Sequence, residues 1–325
     1  MAPLRSLGNA ISSFRDFYAR TGTDAVGAPP DGSAPISVTG GTTSYVYNGK
    51  KIHVWTSPGP FVLTGGPGPV EYFVVAGGGG GGADMGGGGG GGGVLTGELT
   101  LSGPFSTSVT VGPGGNNPDR GSATPDDAKG SPSILNNPVS TVTALGGGFG
   151  QGDSDPDGDF AAETNIGSGG GGYGQGHPNA GGPAPTYPGP VATQQGTPGY
   201  ETAPSNYGGG GGGAGRTAPP NGFGASQQDG GYGIAIPATF RDPSNLYGGP
   251  NGPDQPNLGQ PGKWYFAGGG CGGNPNNGSA YAGGGTVANN ATAATGSGGG
   301  GGPGSGGDPG GSGATGIVFI AYTPS

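Results

Sequence analysis

Residues 70–101 read VEYFVVAGGGGGGADMGGGGGGGGVLTGELTL, and this stretch decides which fold the chain can adopt. A strand-like apolar run at 70–76 passes directly into two glycine tracts, and an apolar alternation resumes at Val94. One interpretation is a flexible glycine linker between two strands. The other is a glycine backbone that forms part of the folded structure. The composition of the whole chain separates the two interpretations.

The chain combines a very high glycine content with very little charge. Of its 325 residues, 89 are Gly and 34 are Pro, a proportion typical of low-complexity chains. Charged residues make up only 9% of the chain, however, whereas disordered chains usually stay open through many charges. We therefore expect the glycine to be ordered. The formal net charge of −9 and the scattered Lys and Arg exclude a basic face, so nucleic acid is not an expected partner.

Residues 35–145 carry β-strand patterns on both sides of these glycine tracts. TSYVY and KKIHVWTS flank Asn48 and Gly49, a residue pair that favours a two-residue hairpin turn. GPFVLTG, VEYFVVAG and the alternating runs at 95–101 and 105–111 follow as strands. SPSILN and STVTALGG are weaker candidates, and GIVFIAYT near the C-terminus supplies a last strand. We expect this last strand to meet the first ones and to enclose the glycine-rich middle.

Glycine runs recur at 77–82, 86–93, 169–172, 208–213, 268–270 and 298–302. Glycine lacks a Cβ, so extended threefold helices of this residue can pack closely and pair all their main-chain groups with neighbouring helices. In the C-terminal tract every third residue from Gly298 to Gly316 is glycine, which resembles the steric rule of collagen. A flexible Gly/Ser linker is the alternative. We predict a mainly β fold with a polyglycine II helix sandwich and a short N-terminal α-helix.

The N-terminal segment predicts that helix. Its apolar residues recur at steps of three and four, as on one face of an amphipathic helix: Leu4, Leu7, Ile11, Phe14 and Tyr18. Such a stripe needs a partner, which is another component of an assembly, a second copy of the chain, or the body of the same chain. We divide the chain into a docking or oligomerisation helix (1–21), a linker (22–34), a β-rich region with the first polyglycine tracts (35–145) and a polyglycine-helix body with exposed loops and the closing strand (146–325).

The string from IHVWTSPGPFVLTGGPGPVEYFVVAGG to VTVGPGG closely resembles the opening of glycine-rich domains of bacteriophage tail proteins, and GGSGATGIVFIAYT resembles their closing strand. The similarity covers about residues 36–323. The chain is also similar to the tail-fibre tip adhesins of T-even-like phages, in which stacked polyglycine helices display variable loops. This resemblance implies a virion protein that recognises its receptor through loops between glycine tracts. The N-terminal helix and linker depart from those adhesins, so the position on the virion stays open.

Loops rich in Pro, Asn, Gln, Asp and aromatic residues lie between the glycine tracts, roughly at 116–137, 152–166, 175–207 and 216–266. Rigid aromatic side chains of such loops can stack on sugars or fill a pocket of an outer-membrane protein. Alternatively, they cover the glycine layers, which have no side chains of their own. The candidates for receptor binding are Tyr187, Tyr200, Tyr207, Phe223, Tyr232, Phe240, Tyr247, Trp264 and Tyr265.

One motif suggests a metal ion. Asp153, Asp155 and Asp157 precede Gly158 with the spacing of a calcium-binding loop. The twelfth position of that loop is Thr164 rather than Glu, and no helix pattern flanks it, so a solvated acidic turn is the alternative. No other cofactor is expected.

No group of residues predicts catalysis. His53 and His177 are isolated, and Cys271 replaces one glycine inside a tract, where it is expected to be a small buried residue. We therefore expect no enzyme. The expected protein is a phage tail-fibre or tail-tip adhesin that forms a homo-oligomer on the virion. Its expected partners are other virion proteins and a host surface glycan or outer-membrane protein. A capsid decoration or head-fibre protein is the alternative.

Overall fold

The computed structural model describes ten parts of the chain, namely residues 34–117, 125–152, 166–174, 196–200, 207–215, 228–241, 247–249, 264–273, 278–304 and 306–324. The predicted N-terminal helix and linker lie outside these residues. Within them the fold is mainly antiparallel β-sheet, with one α-helical turn and one 3₁₀ turn. No helix in the described parts is long and apolar enough to cross a bilayer.

Twelve strands are present in the described residues. They are β1 (Ser37–Gly40), β2 (Thr43–Tyr47), β3 (Lys50–Trp55), β4 (Gly59–Thr64), β5 (Gly68–Val75), β6 (Val94–Leu101), β7 (Phe105–Thr110), β8 (Ser133–Asn136), β9 (Thr141–Ala144), β10 (Ile234–Ala235), β11 (Tyr265–Phe266) and β12 (Ile317–Tyr322). The helical turn α1 is Pro125–Ala128, and the 3₁₀ turn is Ala238–Phe240.

Two five-stranded sheets form the β-region. Sheet A has the order β1-β4-β7-β8-β9, and sheet B has the order β2-β3-β12-β5-β6. The predicted hairpin turn between β2 and β3 is confirmed, because Asn48 and Gly49 both adopt positive φ angles of 49° and 75°. Two residues with positive φ match the right-handed twist of the strands that they join. The two weaker candidates, SPSILN and STVTALGG, are confirmed as β8 and β9.

Sheet B has a hydrophobic core on each face. Its first face packs on sheet A through residues such as Trp55, Phe61 and Leu101. Its second face packs on β10, β11 and the 3₁₀ turn, where Phe73 and Phe319 contact Phe240 and Phe266. A sheet that is buried on both faces has strands of nearly continuous apolar sequence. This accounts for the unbroken apolar run YFVVA at the end of β5.

The last strand occupies the middle of sheet B. β12 pairs antiparallel with β3 on one side and with β5 on the other, and all six of its residues are buried. The expected meeting of the last strand with the first ones is therefore confirmed. Because β12 follows the whole glycine-rich middle in the chain, that middle must leave the sheet after β5 and return to it before β12.

A buried histidine lies in the core between the two sheets. His53 is 4% exposed, its Nδ1 lies 2.7 Å from the carbonyl oxygen of Gly40, and its ring stacks on Tyr322. The buried Nε2 has no hydrogen-bond partner among the described residues. Burial lowers the pKa of His53 from its ordinary value; the hydrogen bond to Gly40 opposes this shift, and the charge of Lys51 adds to it. The folded protein therefore favours the neutral ring.

We expect this histidine to make the fold sensitive to weak acid. Below an unfolded-state pKa of about 6.5, the unfolded chain binds a proton that folded His53 resists, so stability falls as the pH is lowered. Between pH 7.5 and pH 5.5 the loss should reach no more than about 1.4 kcal/mol. Denaturant unfolding at both pH values measures it. His53→Asn should remove most of this loss, and an equal loss in the variant would assign the effect to another group.

Candidate functional site

The two glycine tracts after β5 bond to their neighbours with a period of three. Along 77–82, N–H groups donate in turn to three different segments. Gly77 and Gly80 donate to Ser131 and Ala128, Gly78 and Gly81 donate to Ala314 and Gly311, and Gly79 and Gly82 donate to Gly90 and Gly87, all at 2.8–3.0 Å. Each partner moves back by three residues when the donor moves forward by three. The tract therefore has a main-chain neighbour on three sides.

The tract at 86–93 also bonds with a period of three, although its partner moves forward by three residues in one segment, from Gly209 to Gly212, and back by three in the other two. Its N–H groups donate to the segment at 145–151, to the segment at 209–212 and to the segment at 296–299. We call this hydrogen-bonded assembly the glycine lattice; it comprises residues 76–93, 111–117, 128–131, 145–152, 166–174, 196–200, 207–215, 228–233, 267–273, 278–302 and 308–316. Main-chain pairing satisfies most of the buried backbone of the lattice, and a few N–H groups, such as those of Gly112 and Gly268, donate to serine hydroxyls.

Close packing explains why the lattice consists of glycine. A Cβ built on Gly79 would lie 2.0 Å from the oxygen of Gly148, and a Cβ on Gly81 would lie 2.1 Å from the oxygen of Gly300. Neither distance is possible for a real side chain. The expected inward row of the C-terminal tract holds at Gly310, Gly313 and Gly316, whose Cβ positions meet backbone oxygen at 2.1–2.2 Å. The row also holds at Gly298 and Gly301, whose Cβ positions meet backbone oxygen at 1.9–2.0 Å, and it is interrupted at Gly307, which has open space and a φ of +93°.

The lattice has two distinct ends. The proximal end joins sheet B, because 77–82 continues β5 and 86–93 leads back into β6. The distal end is the turn at 83–85, where the Asp84 carboxylate accepts a hydrogen bond from the N–H of Gly307. The Asp84 N–H donates to the carbonyl oxygen of Asp308 at 3.1 Å. Asp84 is 1% exposed and has a φ of 54°, which Asp tolerates better than most residues. It thus joins the turn at 83–85 to the neighbouring turn before Asp308.

Several ranges that lie outside the described residues have one or both flanks at the distal end. Gly273 donates to Gly86, Gly87 donates to Gln151, and Gly272 donates to Gln228, so these residues lie level with the distal turn. Three ranges have both flanks at this level, namely 118–124, 201–206 and 274–277, whereas 153–165, 175–195 and 216–227 have one flank here and the other at the proximal end. The hydrogen-bond register of the lattice decides which ranges have their flanks at this level, and the sequence does not show that register.

The N-terminal segment joins the protein at the opposite end. The carbonyl oxygen of Ala34 accepts a hydrogen bond from Gly66, which lies just before the start of β5. The eight residues of β5 separate that point from the lattice by roughly 26 Å at about 3.3 Å per residue. Ala34 therefore lies at the end of β5 that is remote from the lattice, and the distal turn at 83–85 lies at the opposite end of the lattice.

The structure divides the predicted aromatic candidates into three groups. Tyr187 and Phe223 lie outside the described residues. Tyr232, Phe240, Trp264 and Tyr265 are buried, and Tyr247 packs on the second core of sheet B. Four of these five pack in the second core of sheet B, whereas the alternative interpretation placed them on the glycine layers. Tyr200 and Tyr207 are half-buried at the distal level, on either side of 201–206.

Two ionisable groups inside the lattice have raised pKa values. Burial, with a contribution from the charge of Asp229, raises the pKa of the Tyr200 hydroxyl. Burial also raises the pKa of the Cys271 thiol to about 12, and the Asp229 charge acts in the same direction. At neutral pH the thiol is therefore protonated and unreactive, as expected for a small buried residue.

The described residues contain no cluster of three or more His, Cys, Asp or Glu side chains that could hold a metal ion. The predicted calcium loop, Asp153, Asp155 and Asp157, lies outside them.

Sequence reasoning missed the role of Asp84. It is the acidic residue between the glycine tracts at 77–82 and 86–93, and that placement is the signal that could have indicated a turn anchored by a carboxylate.

A family model described as a glycine-rich domain matches residues 56–323. This match covers both sheets in large part and the whole lattice. No curated protein and no solved structure matches the chain.

Proposed function

This chain belongs to the glycine-rich domain family, and we propose that it is a structural protein of a bacteriophage particle that acts as a tail-fibre or tail-tip adhesin. In this proposal the chain is no enzyme and needs no cofactor. The single observation that supports the proposal is the separation of Ala34, near the start of β5, from the distal end of the lattice, where 118–124, 201–206 and 274–277 have both of their flanks.

The finer fold that we propose is a sandwich of polyglycine II helices. Such a helix has three residues per turn and no internal hydrogen bonds, so its N–H groups point to neighbours in three directions. The period of three in the bonds of 77–82 and 86–93 supports this assignment. So does the close approach of main-chain oxygens to the places where Cβ atoms would stand, which leaves room for glycine alone.

A rigid lattice suits an adhesin because it holds variable segments without changing itself. The connections at the distal end can differ in length and sequence while the main-chain bonds beneath them stay the same. Loops that are held in place before binding lose less conformational entropy when they bind. The proposed partners are a host surface glycan or an outer-membrane protein, which polar and aromatic loop residues would contact. Tyr200 and Tyr207 are the described candidates nearest to these segments.

The opposite end of the molecule is assigned to the particle. The apolar stripe of 1–21 would dock on other virion proteins, and several copies per particle would multiply a weak single contact. The protein would then lie on the virion surface with its distal end toward the cell.

Cell binding by the purified, fluorescently labelled full chain tests the proposal. Flow cytometry on the bacterium that supports the particle should show saturable binding, and unlabelled protein should reduce infection. Replacing 201–206 by a Gly-Ser sequence of equal length should weaken binding at least ten-fold. The matched control replaces 137–140, the β8–β9 turn at the far end of sheet A from the lattice, and should bind normally. Equal binding by both variants would contradict recognition at the distal end.

Absence of binding, together with unchanged infection, would contradict the adhesin proposal as a whole. The alternative, a capsid decoration or head-fibre protein, would then account for the chain. Electron microscopy of particles labelled with antibodies against this chain separates the two roles, because an adhesin should be labelled on the tail and a decoration protein on the head.

A further inference from the structure

Sheet B ends in an edge strand whose outer side is open. β2 pairs with β3 on one side, and no other described strand lies beyond it. Tyr47 and Lys50 flank the two-residue turn, so this pair exchanges main-chain hydrogen bonds. Alternation along an antiparallel ladder then directs the N–H and C=O groups of Ser44 and Val46 away from β3. No main-chain hydrogen bond to Ser44 or Val46 occurs on that outer side among the described residues.

The side chains of β2 do not protect this edge. Natural proteins usually protect open edges with charged residues, proline or very short strands. The sequence of β2 is TSYVY, with no charge and no proline, and Val46 is 68% exposed. The edge strand β6, at the other side of sheet B, carries the charge of Glu98. In a chain with a net charge of −9, an uncharged strand lets a second copy approach without added like-charge repulsion.

We propose that β2 pairs with β2 of a second copy of this chain. The pairing is antiparallel around a two-fold axis that passes between the two Tyr45 residues. Ser44 of one copy lies opposite Val46 of the other, and each of these two pairs exchanges the main-chain bonds that the outer edge leaves open. The two copies of sheet B then form one continuous ten-stranded sheet, in which Tyr45 lies next to its counterpart. The inference does not depend on the proposed function, because self-association is measured without cells.

Analytical ultracentrifugation of the full chain, between about 1 and 100 μM, tests the proposal first. We expect a concentration-dependent dimer. Val46→Lys places a charge at the edge and should raise the dissociation constant at least ten-fold. Val139→Lys is the matched control, because Val139 is 63% exposed in the β8–β9 turn, and it should dimerise normally. A monomeric full chain, or equal association of the two variants, would overturn the proposal.

A cross-linking experiment tests the two-fold axis. Directly opposite residues of a non-hydrogen-bonded pair have Cα atoms about 4.5 Å apart, within the range that a disulfide bridges. Tyr45→Cys should therefore give a covalent dimer on mild oxidation, visible on a non-reducing gel, while Val139→Cys should not. The native Cys271 does not interfere because it is buried, with a pKa of about 12. Circular dichroism checks that Tyr45→Cys folds, and cross-linking of the folded variant no faster than that of the control would contradict this register.

Discussion

Replacing Gly79 by alanine should lower the free energy of unfolding by about 3 kcal/mol or more, which is the upper part of the range for overpacked interiors. The added methyl group would lie 2.0 Å from the oxygen and 2.5 Å from the carbon of Gly148. The main chain of Gly148 cannot move out of the way by a rotamer change, as a flexible side chain could. Moving the segment that contains Gly148 would also stretch the bond that Gly90 donates to Gly148. The loss of stability therefore includes a weakened hydrogen bond between Gly148 and the tract at 86–93.

Thermal unfolding followed by circular dichroism measures this effect, and the melting temperature should fall by at least about 5 °C. Gly306→Ala is the matched control, since nothing lies within 4 Å of its Cβ position and its φ is not in the positive region. The control should melt at nearly the same temperature as the native protein. Equal melting of the two variants would show that Gly79 does not lie in a close-packed lattice.

Removal of residues 317–325 should abolish folding altogether. These residues contain β12, which supplies the ladder partner of both β3 and β5 and whose six side chains are all buried. Burial of one large apolar side chain contributes about 1.5–3 kcal/mol, and a whole domain is stable by only about 5–15 kcal/mol. The truncated chain should therefore show no cooperative unfolding transition in calorimetry and should expose apolar surface that binds a hydrophobic dye.

A shorter truncation is the control for this experiment. Removing only residues 323–325 leaves β12 intact, and Thr323 and Pro324 are exposed. This variant should unfold cooperatively at nearly the native temperature. A cooperative transition in the longer truncation would mean that sheet B is complete without its central strand.

Local signals in the sequence were sufficient for the parts of the fold that depend on neighbouring residues. The Asn48-Gly49 pair predicted the hairpin, and alternating runs predicted the strands, because turn geometry and strand periodicity are properties of a few adjacent residues. The run GIVFIAYT predicted a strand but not its place between β3 and β5. That place is set by contacts between residues far apart in the chain.

The candidate site was less accessible to sequence reasoning for the same reason. Glycine carries no side chain that could specify a neighbour, so the partners of Gly78 or Gly88 follow only from the packing of the whole lattice. Loop composition marked the aromatic candidates, but Phe240 and Trp264 are buried against sheet B. An aromatic residue beside a glycine tract can serve either as a contact for a ligand or as a cover for the lattice, and composition is the same in both cases.

The period of three in the lattice bonds limits which insertions and deletions the glycine tracts can accept. One residue inserted into 77–82 would turn every later N–H by a third of a revolution and present it to the wrong neighbour, whereas three inserted residues would restore each direction. We therefore expect length variation inside the glycine tracts to occur in steps of three codons. The connecting segments have no such restriction. They can therefore gain or lose single residues without changing the neighbour to which each N–H of the tracts donates.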